Sequence, residues 1–143
     1  MEQRVSLITL GVRDLARATE FYRRLGWVGQ ETQSTVFFQA GGLAVVLWDR
    51  AELAADAGVE DTGASFGGIA LAPNVRSAAE VDQLLDAAAA AGATITQPAR
   101  TTFYGGYAGC FVDTEGHTWE IAHNPGFTLN DDGSLTLPDF DAP

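Results

Sequence analysis

The sequence predicts an α+β fold made of two βαβββ modules. Three observations carry that expectation. A β-branched, apolar run, a helical segment and three further strand-like runs follow one another, and the same order occurs twice. Asp14 and Ser77 stand where the two helices should start, because short polar side chains accept hydrogen bonds from the open N–H groups of a first turn. Gly26 and Gly92 stand where they should end, because glycine enters the left-handed conformation that closes a helix. The repeat lies in the pattern and not in residue identity.

In the first module, Val5 to Val12 reads as a strand. Leu15, Ala18, Phe21, Tyr22 and Leu25 then fall on one helical face. Trp27 to Glu31, Ser34 to Gln39 and Leu43 to Trp48 read as strands, the last two joined by Gly41-Gly42. In the second module, Gly67 to Ala72 is a short strand, and Ser77 with Glu80 makes a capping box. Val81, Leu84, Leu85 and Ala88 form the apolar stripe of its helix. Thr94 to Gln97, Gly106 to Val112 and Thr118 to His123 are strands, the last pair joined by the turn Asp113-Thr114-Glu115-Gly116. These segments give residues 1–49 as the first module, 50–65 as a linker, 66–123 as the second module and 124–143 as a C-terminal tail. The linker starts with an Ala-rich stretch that suits a short helix and continues as loop from Gly58 to Ser65. The tail, with Pro125, Gly126, Asp131-Asp132-Gly133 and Pro138, reads as extended chain lying over the domain or a partner.

Composition narrows the function classes. The chain has 143 residues, 46% of them apolar, enough for a core. No apolar run approaches the ~20 residues that span a bilayer, and the start reads as a first strand and not as a signal peptide. A net charge of −11 argues against nucleic acid and anionic membranes as partners, since both call for clustered Lys and Arg. With one cysteine, Cys110, no internal disulfide can form, which fits a reducing cytoplasm.

Two segments carry a family resemblance. LGVRDLARATEFYRRLGW, residues 10–27, resembles the opening strand and helix of the vicinal oxygen chelate superfamily, which includes glyoxalase I, extradiol dioxygenases and bleomycin-binding resistance proteins. YGGYAGCFVDTEGHTWEIAHNPGF, residues 104–127, is similar to its closing hairpin, where an Asp-x-x-Gly turn leads into a Trp-Glu pair. The resemblance implies a mixed, concave sheet in each module, the two forming one cleft, and pairing into homodimers. Metal-dependent members place one ligand on the first and one on the last strand of each module. The resemblance puts those positions at Leu7, at Val46 or Leu47, at Gly68 or Gly67, and at Glu120. Only Glu120 offers a donor side chain, and a divalent cation needs several oxygen or imidazole donors. No metal and no other cofactor is therefore expected. A rebuilt site from Glu120, His117 and another carboxylate is the alternative; His123 falls on the opposite strand face from Glu120.

Strand alternation then gives the candidate site. If Glu120 faces the cleft, Thr118 and Ala122 do so too, while Trp119 and Ile121 pack under the helix. The resemblance turns Leu7, Thr9 and Gly11 inward. Phe37, Trp48, Phe103, Tyr104 and Tyr107 are read either as an aromatic wall of a binding site or as ordinary core. Glu120 is either a vestige or a group that binds a cation or a hydrogen-bond donor. Cys110 reads as a small core residue, since no activating base is near it in sequence. The leading expectation is a protein that binds an organic small molecule, cationic or neutral before anionic, without a catalytic metal. The alternatives are a glyoxalase-type lyase or isomerase, with Glu120 as base or with a relocated metal, and a structural or regulatory dimer without ligand.

Overall fold

Two four-stranded mixed sheets, each with one major helix, form the fold, as the sequence predicts; there is no closed barrel. The computed structural model describes residues 3, 6–32, 34–63, 66, 67 and 69–138. The chain divides into two compact units, residues 1–68 with 113–117, and residues 69–112 with 118–143.

The first unit contains β1 (Leu7–Val12), α1 (Leu15–Arg24), β2 (Gly29–Thr32), β3 (Thr35–Ala40), β4 (Leu43–Asp49) and α2 (Arg50–Ala57). Its sheet order is β1-β4-β3-β2, with β1 parallel to β4 and the other pairs antiparallel. Local chemistry sets α1. The Asp14 carboxylate accepts from the N–H of Arg17 at 2.9 Å. At the far end the N–H groups of Gly26 and Trp27 donate to the carbonyls of Arg23 and Tyr22, a Schellman closure with Gly26 at φ +88°. The same closure lays Trp27 on Tyr22, ring centroids 5.2 Å apart. Phe21, Tyr22 and Phe38 are buried there together with Leu10, Val12, Val36 and Leu47, so the core of this unit sits between α1 and one sheet face. The hairpin at Gly41-Gly42 forms as read, with positive φ at Gly41. Val5, the expected start of β1, lies outside the described residues.

The linker forms α2 as expected, capped by Asp49 and closed by Gly58 at φ +68°. The chain beyond it is pinned by an ion pair: the Arg50 guanidinium donates twice to Asp61, both at 2.8 Å. That bond, with the N–H of Gly63, holds the Asp61 carboxyl down at about 2.

The second unit contains β5 (Ala70–Leu71), α3 (Ala78–Ala91), β6 (Thr94–Thr101), β7 (Tyr107–Val112), β8 (Thr118–His123), β9 (Thr128–Leu129) and β10 (Leu135–Thr136). Its sheet order, β5-β8-β7-β6, repeats that of the first, again with the first strand parallel to the last. Ser77 Oγ accepts from the N–H of Glu80, while the Glu80 carboxylate reaches one residue past the cap, to the N–H of Arg76 at 2.8 Å. Val81, Leu85, Ala88 and Ala91 are the buried stripe of α3, and Leu84 stays 39% exposed at its margin.

Three elements differ from the sequence reading. β5 keeps only two residues, because Pro73 interrupts it before the chain rejoins β8 through an isolated bridge from Asn74 to Ala122. β6 does not stop at Gln97. It runs to Thr101 through register shifts on either side of Gln97, and as an edge strand it tolerates Pro98. The tail is a hairpin, β9 against β10, turned at Gly133 (φ +85°) and held at Leu129 and Asn130 by two carbonyl contacts from the Arg76 guanidinium, at 2.9 and 2.6 Å.

One buried carboxylate organises the β7–β8 turn. Asp113 is 5% exposed. Its Oδ1 accepts from the N–H groups of Glu115 and His117, both at 2.9 Å. Its Oδ2 accepts from the Tyr22 hydroxyl at 2.6 Å and from His117 Nδ1 at 3.0 Å. A carboxylate can only accept, so Nδ1 is the protonated ring nitrogen of His117. Burial pushes the Asp113 carboxyl up, but the His117 and Tyr22 hydrogen bonds outweigh it and hold it below the ordinary carboxylate range. A depressed carboxyl stabilises the fold above the unfolded carboxylate range near pH 4, and that contribution is lost as pH falls through the folded value. Asp113→Ala should therefore cost on the order of 3 kcal/mol at pH 7, because it strands four donors. Urea unfolding should show that gap narrowing towards pH 3; a gap absent at pH 7, or unchanged by acid, would contradict the assignment.

Candidate functional site

The face of the second sheet opposite α3 is where β8 presents Glu120. On β8, Trp119 and Ile121 are buried, and Trp119 stacks on Phe111 at 6.2 Å with nearly parallel rings. Alternation turns Thr118, Glu120 and Ala122 to the other face. In register, Cys110 of β7 lies opposite Glu120, and Gln97 of β6 lies opposite Cys110. The next row is Ala122, Ala108 and Arg100. Between these rows lies a groove of about 470 Å³, lined by Gln97, Arg100, Thr101, Thr102, Phe103, Tyr104, Ala108, Gly109, Cys110 and Glu120. Its size is that of a small-molecule site.

The loop between β6 and β7 closes one end of the groove. Thr102 clasps it: its N–H donates to the Gly106 carbonyl at 2.9 Å, its carbonyl accepts from Gly105, and its hydroxyl accepts from the Gly106 N–H at 3.0 Å. This fold-back leaves Phe103 fully exposed and Tyr104 41% exposed, packed edge-to-face at 5.3 Å. Two glycines make it possible. Gly105 sits at φ +79°. A Cβ on Gly106 would stand 2.5 Å from both the His123 carbonyl and the Tyr104 ring.

The groove holds both signs of charge. Neither Arg100 nor Glu120 has a hydrogen-bond or ion-pair partner among the described residues. Burial pushes the Cys110 thiol up, Glu120 adds to this and Arg100 opposes it. The thiol therefore stays protonated at neutral pH and is a poor nucleophile there. Sequence reasoning misses Arg100, because the strand-like run is taken to stop at Gln97; the tolerance of an edge strand for Pro98 is the available signal.

Of the residues singled out in the sequence, Glu120, Phe103 and Tyr104 come together here. Tyr107 does not line this groove. Its hydroxyl donates to Asp82 of α3 at 3.0 Å, which places the ring on the helix side. In the first unit, Leu7, Thr9, Phe37 and Trp48 share the sheet face opposite α1, in rows where Thr9 meets Val46 and Phe37, and Gly11 meets Trp48 and Thr35. Leu7 is 52% exposed, and the Trp48 indole donates to Glu52 at 2.7 Å. His123 Nδ1 contacts the Val75 carbonyl at 3.1 Å, and His117 is committed to Asp113.

The donors do not fit the family's divalent site. Leu7 and the buried Val46 lie on the sheet face opposite α1 without a donor atom; Leu47 faces α1 and is wholly buried. Gly67 has no side chain, and Gly68 lies outside the described residues. Among the described residues no three His, Cys, Asp or Glu side chains converge as a metal site would require.

Comparison with known proteins agrees with this fold. The family model of the Glyoxalase/Bleomycin resistance protein/Dioxygenase superfamily matches residues 4–121. A glyoxalase-related enzyme from Fulvimarina pelagi is 38% identical, with a TM-score of 0.89 over 96% of this chain and 99% of its own. A hypothetical protein from S. aureus is 26% identical, with a TM-score of 0.74 over 86% of this chain and 94% of its own. The fosfomycin resistance protein FosX from Mesorhizobium loti shares the fold at 19% identity, with a TM-score of 0.64 over 87% of this chain and 93% of its own. No curated protein matches at the same stringency.

The loop geometry makes one direct prediction. Gly106→Ala should push the Tyr104 ring off its seat and cost about 1–3 kcal/mol, the usual penalty of overpacking. Thermal unfolding and the Phe103–Tyr104 ring contact in NMR spectra check it; an unchanged melting temperature with the contact intact would contradict it.

Proposed function

Because the chain belongs to the glyoxalase/bleomycin resistance protein/dioxygenase superfamily, we propose that it binds an organic small molecule in the groove of its second sheet, without a catalytic metal. One observation carries this reading: two oppositely charged side chains without a partner among the described residues, Arg100 and Glu120, border a groove of ligand size with an exposed aromatic pair at its end. Charged groups facing a part-apolar groove gain by taking up a partner, and an exposed Phe beside such a groove is a contact surface in waiting. The protein acts as a cytoplasmic homodimer in the same reading, supported by its one unpaired cysteine and by the edge strands β1, β2, β5 and β6 of its two four-stranded sheets.

A second reading keeps the groove and adds chemistry. A carboxylate without a partner is suited to take a proton from a bound substrate, and the 38% identical relative is described as a glyoxalase-related enzyme. In that case Glu120 is the base of an isomerase or lyase, and the protein exchanges a substrate C–H for deuterium from solvent.

Elemental analysis of protein purified without chelator, followed by fragment titration in amide NMR, tests the proposal. We expect far less than one divalent ion per chain, and shifts confined to the amides of β6, β7, the loop between them and Glu120. One tightly held divalent ion per chain, lost in Glu120→Gln, would overturn the reading. Sedimentation giving a monomer at micromolar concentration would remove the dimer.

A further inference from the structure

The opposed charges of the groove say more about the ligand than its volume does. Arg100 enters from β6 and Glu120 from β8, with β7 between them. Arg100 lies opposite Ala108, and Glu120 opposite Cys110, one row along. Strand and residue spacings put their Cα atoms roughly 12 Å apart. Among the described residues no ion pair joins them, and the residues of β7 between them, Ala108 and Cys110, have short side chains. Two long, oppositely charged side chains thus border the same groove without pairing with each other.

Arg100 has a polar neighbour of matching use. Near Arg100 the Thr102 hydroxyl already accepts from the Gly106 N–H, so its own proton is left to donate, and an anionic group meets two donors there. In the row of Glu120, across Cys110, the Gln97 side chain adds a neutral amide to the groove. The Cys110 thiol between them feels both charges. The Phe103–Tyr104 pair offers an edge-to-face apolar surface at the Arg100 end.

Resting on the reading of this groove as the ligand site, we propose that it selects a small aromatic zwitterion: an anionic group held by Arg100, an ammonium group held by Glu120 and a ring against Phe103 and Tyr104. The sequence alone favours a cation, because it shows Glu120 and hides Arg100. With Arg100 in the groove, a purely cationic ligand faces a like charge at one end, and a purely anionic ligand faces one at the other. Only a molecule with both charges satisfies both ends.

A matched series of probes tests this on the full chain. L-phenylalanine carries both charges, phenethylammonium only the cation, 3-phenylpropanoate only the anion, and 2-phenylethanol neither. Each is titrated against wild type, Arg100→Gln and Glu120→Gln, with amide NMR reporting both affinity and location. Phenylalanine should bind wild type about 10-fold more tightly than either singly charged probe, the worth of one charged hydrogen-bonded contact. Arg100→Gln should bring phenylalanine down to the affinity of phenethylammonium, and Glu120→Gln to that of 3-phenylpropanoate. If probes shift the groove amides but phenylalanine binds no better than phenethylammonium, the zwitterion inference is overturned and the groove survives as a site. If no probe, the neutral one included, shifts the groove amides at millimolar concentration, both fall. The amide spectra of the variants also show directly that each is folded.

Discussion

The register of the β7–β8 hairpin is the constraint on which the site depends, and the Asp113 carboxylate fixes it. A strand has a period of two, so a slip of one residue would send Glu120 under α3 and turn Trp119 outward. The turn prevents this with backbone bonds between Asp113 and His117, and with four donors converging on one buried carboxylate. Stacking of Trp119 on Phe111 stabilises the same register from the helix side. A carboxylate at one end of the hairpin therefore decides which face another carboxylate, seven residues on, presents.

The groove itself arises from small residues and one irregular strand. Gly109 leaves room for Leu85 and for the β6 backbone, since a Cβ there would lie 2.6 Å from Leu85 and 2.9 Å from the Ala99 nitrogen. That close approach lets β6 continue past Pro98 and carry Arg100 back over β7. Gly105 and Gly106 then fold the loop so that Tyr104 packs against Phe103 beside the opening. The polar and aromatic groups of the site are thus positioned by residues that carry no chemistry of their own. A fold fixes where such a groove lies, and the side chains grafted on it decide what chemistry it offers.

Much of the fold was legible because its signals are local. Asp14, Ser77, Gly26 and Gly92 each act on the turn they adjoin, and alternation around Glu120 needs only its immediate neighbours. What was hidden depends on distant partners. Arg100 joins the groove only because β7 accepts an irregular edge strand. For Tyr107 the signal is local: alternation with Ala108 and Cys110 turns it to the α3 face, where Asp82 receives its hydroxyl. The pairing of Asp113 with Tyr22 spans 91 positions, and nothing in either segment announces it. The C-terminal hairpin reads from sequence as extended chain, although Asn130, Asp132 and Gly133 are turn formers, because its strands are too short to show a period.

The most direct measurement of the central claim is the cross-strand register in solution. Nuclear Overhauser contacts between the backbones of Cys110 and Glu120 are expected, together with contacts from the Glu120 side chain to Cys110 and Ala108 on the open face. Contacts pairing Cys110 with Trp119 or Ile121 instead would place Glu120 beneath α3. They would contradict the account at the point from which the rest of the site follows.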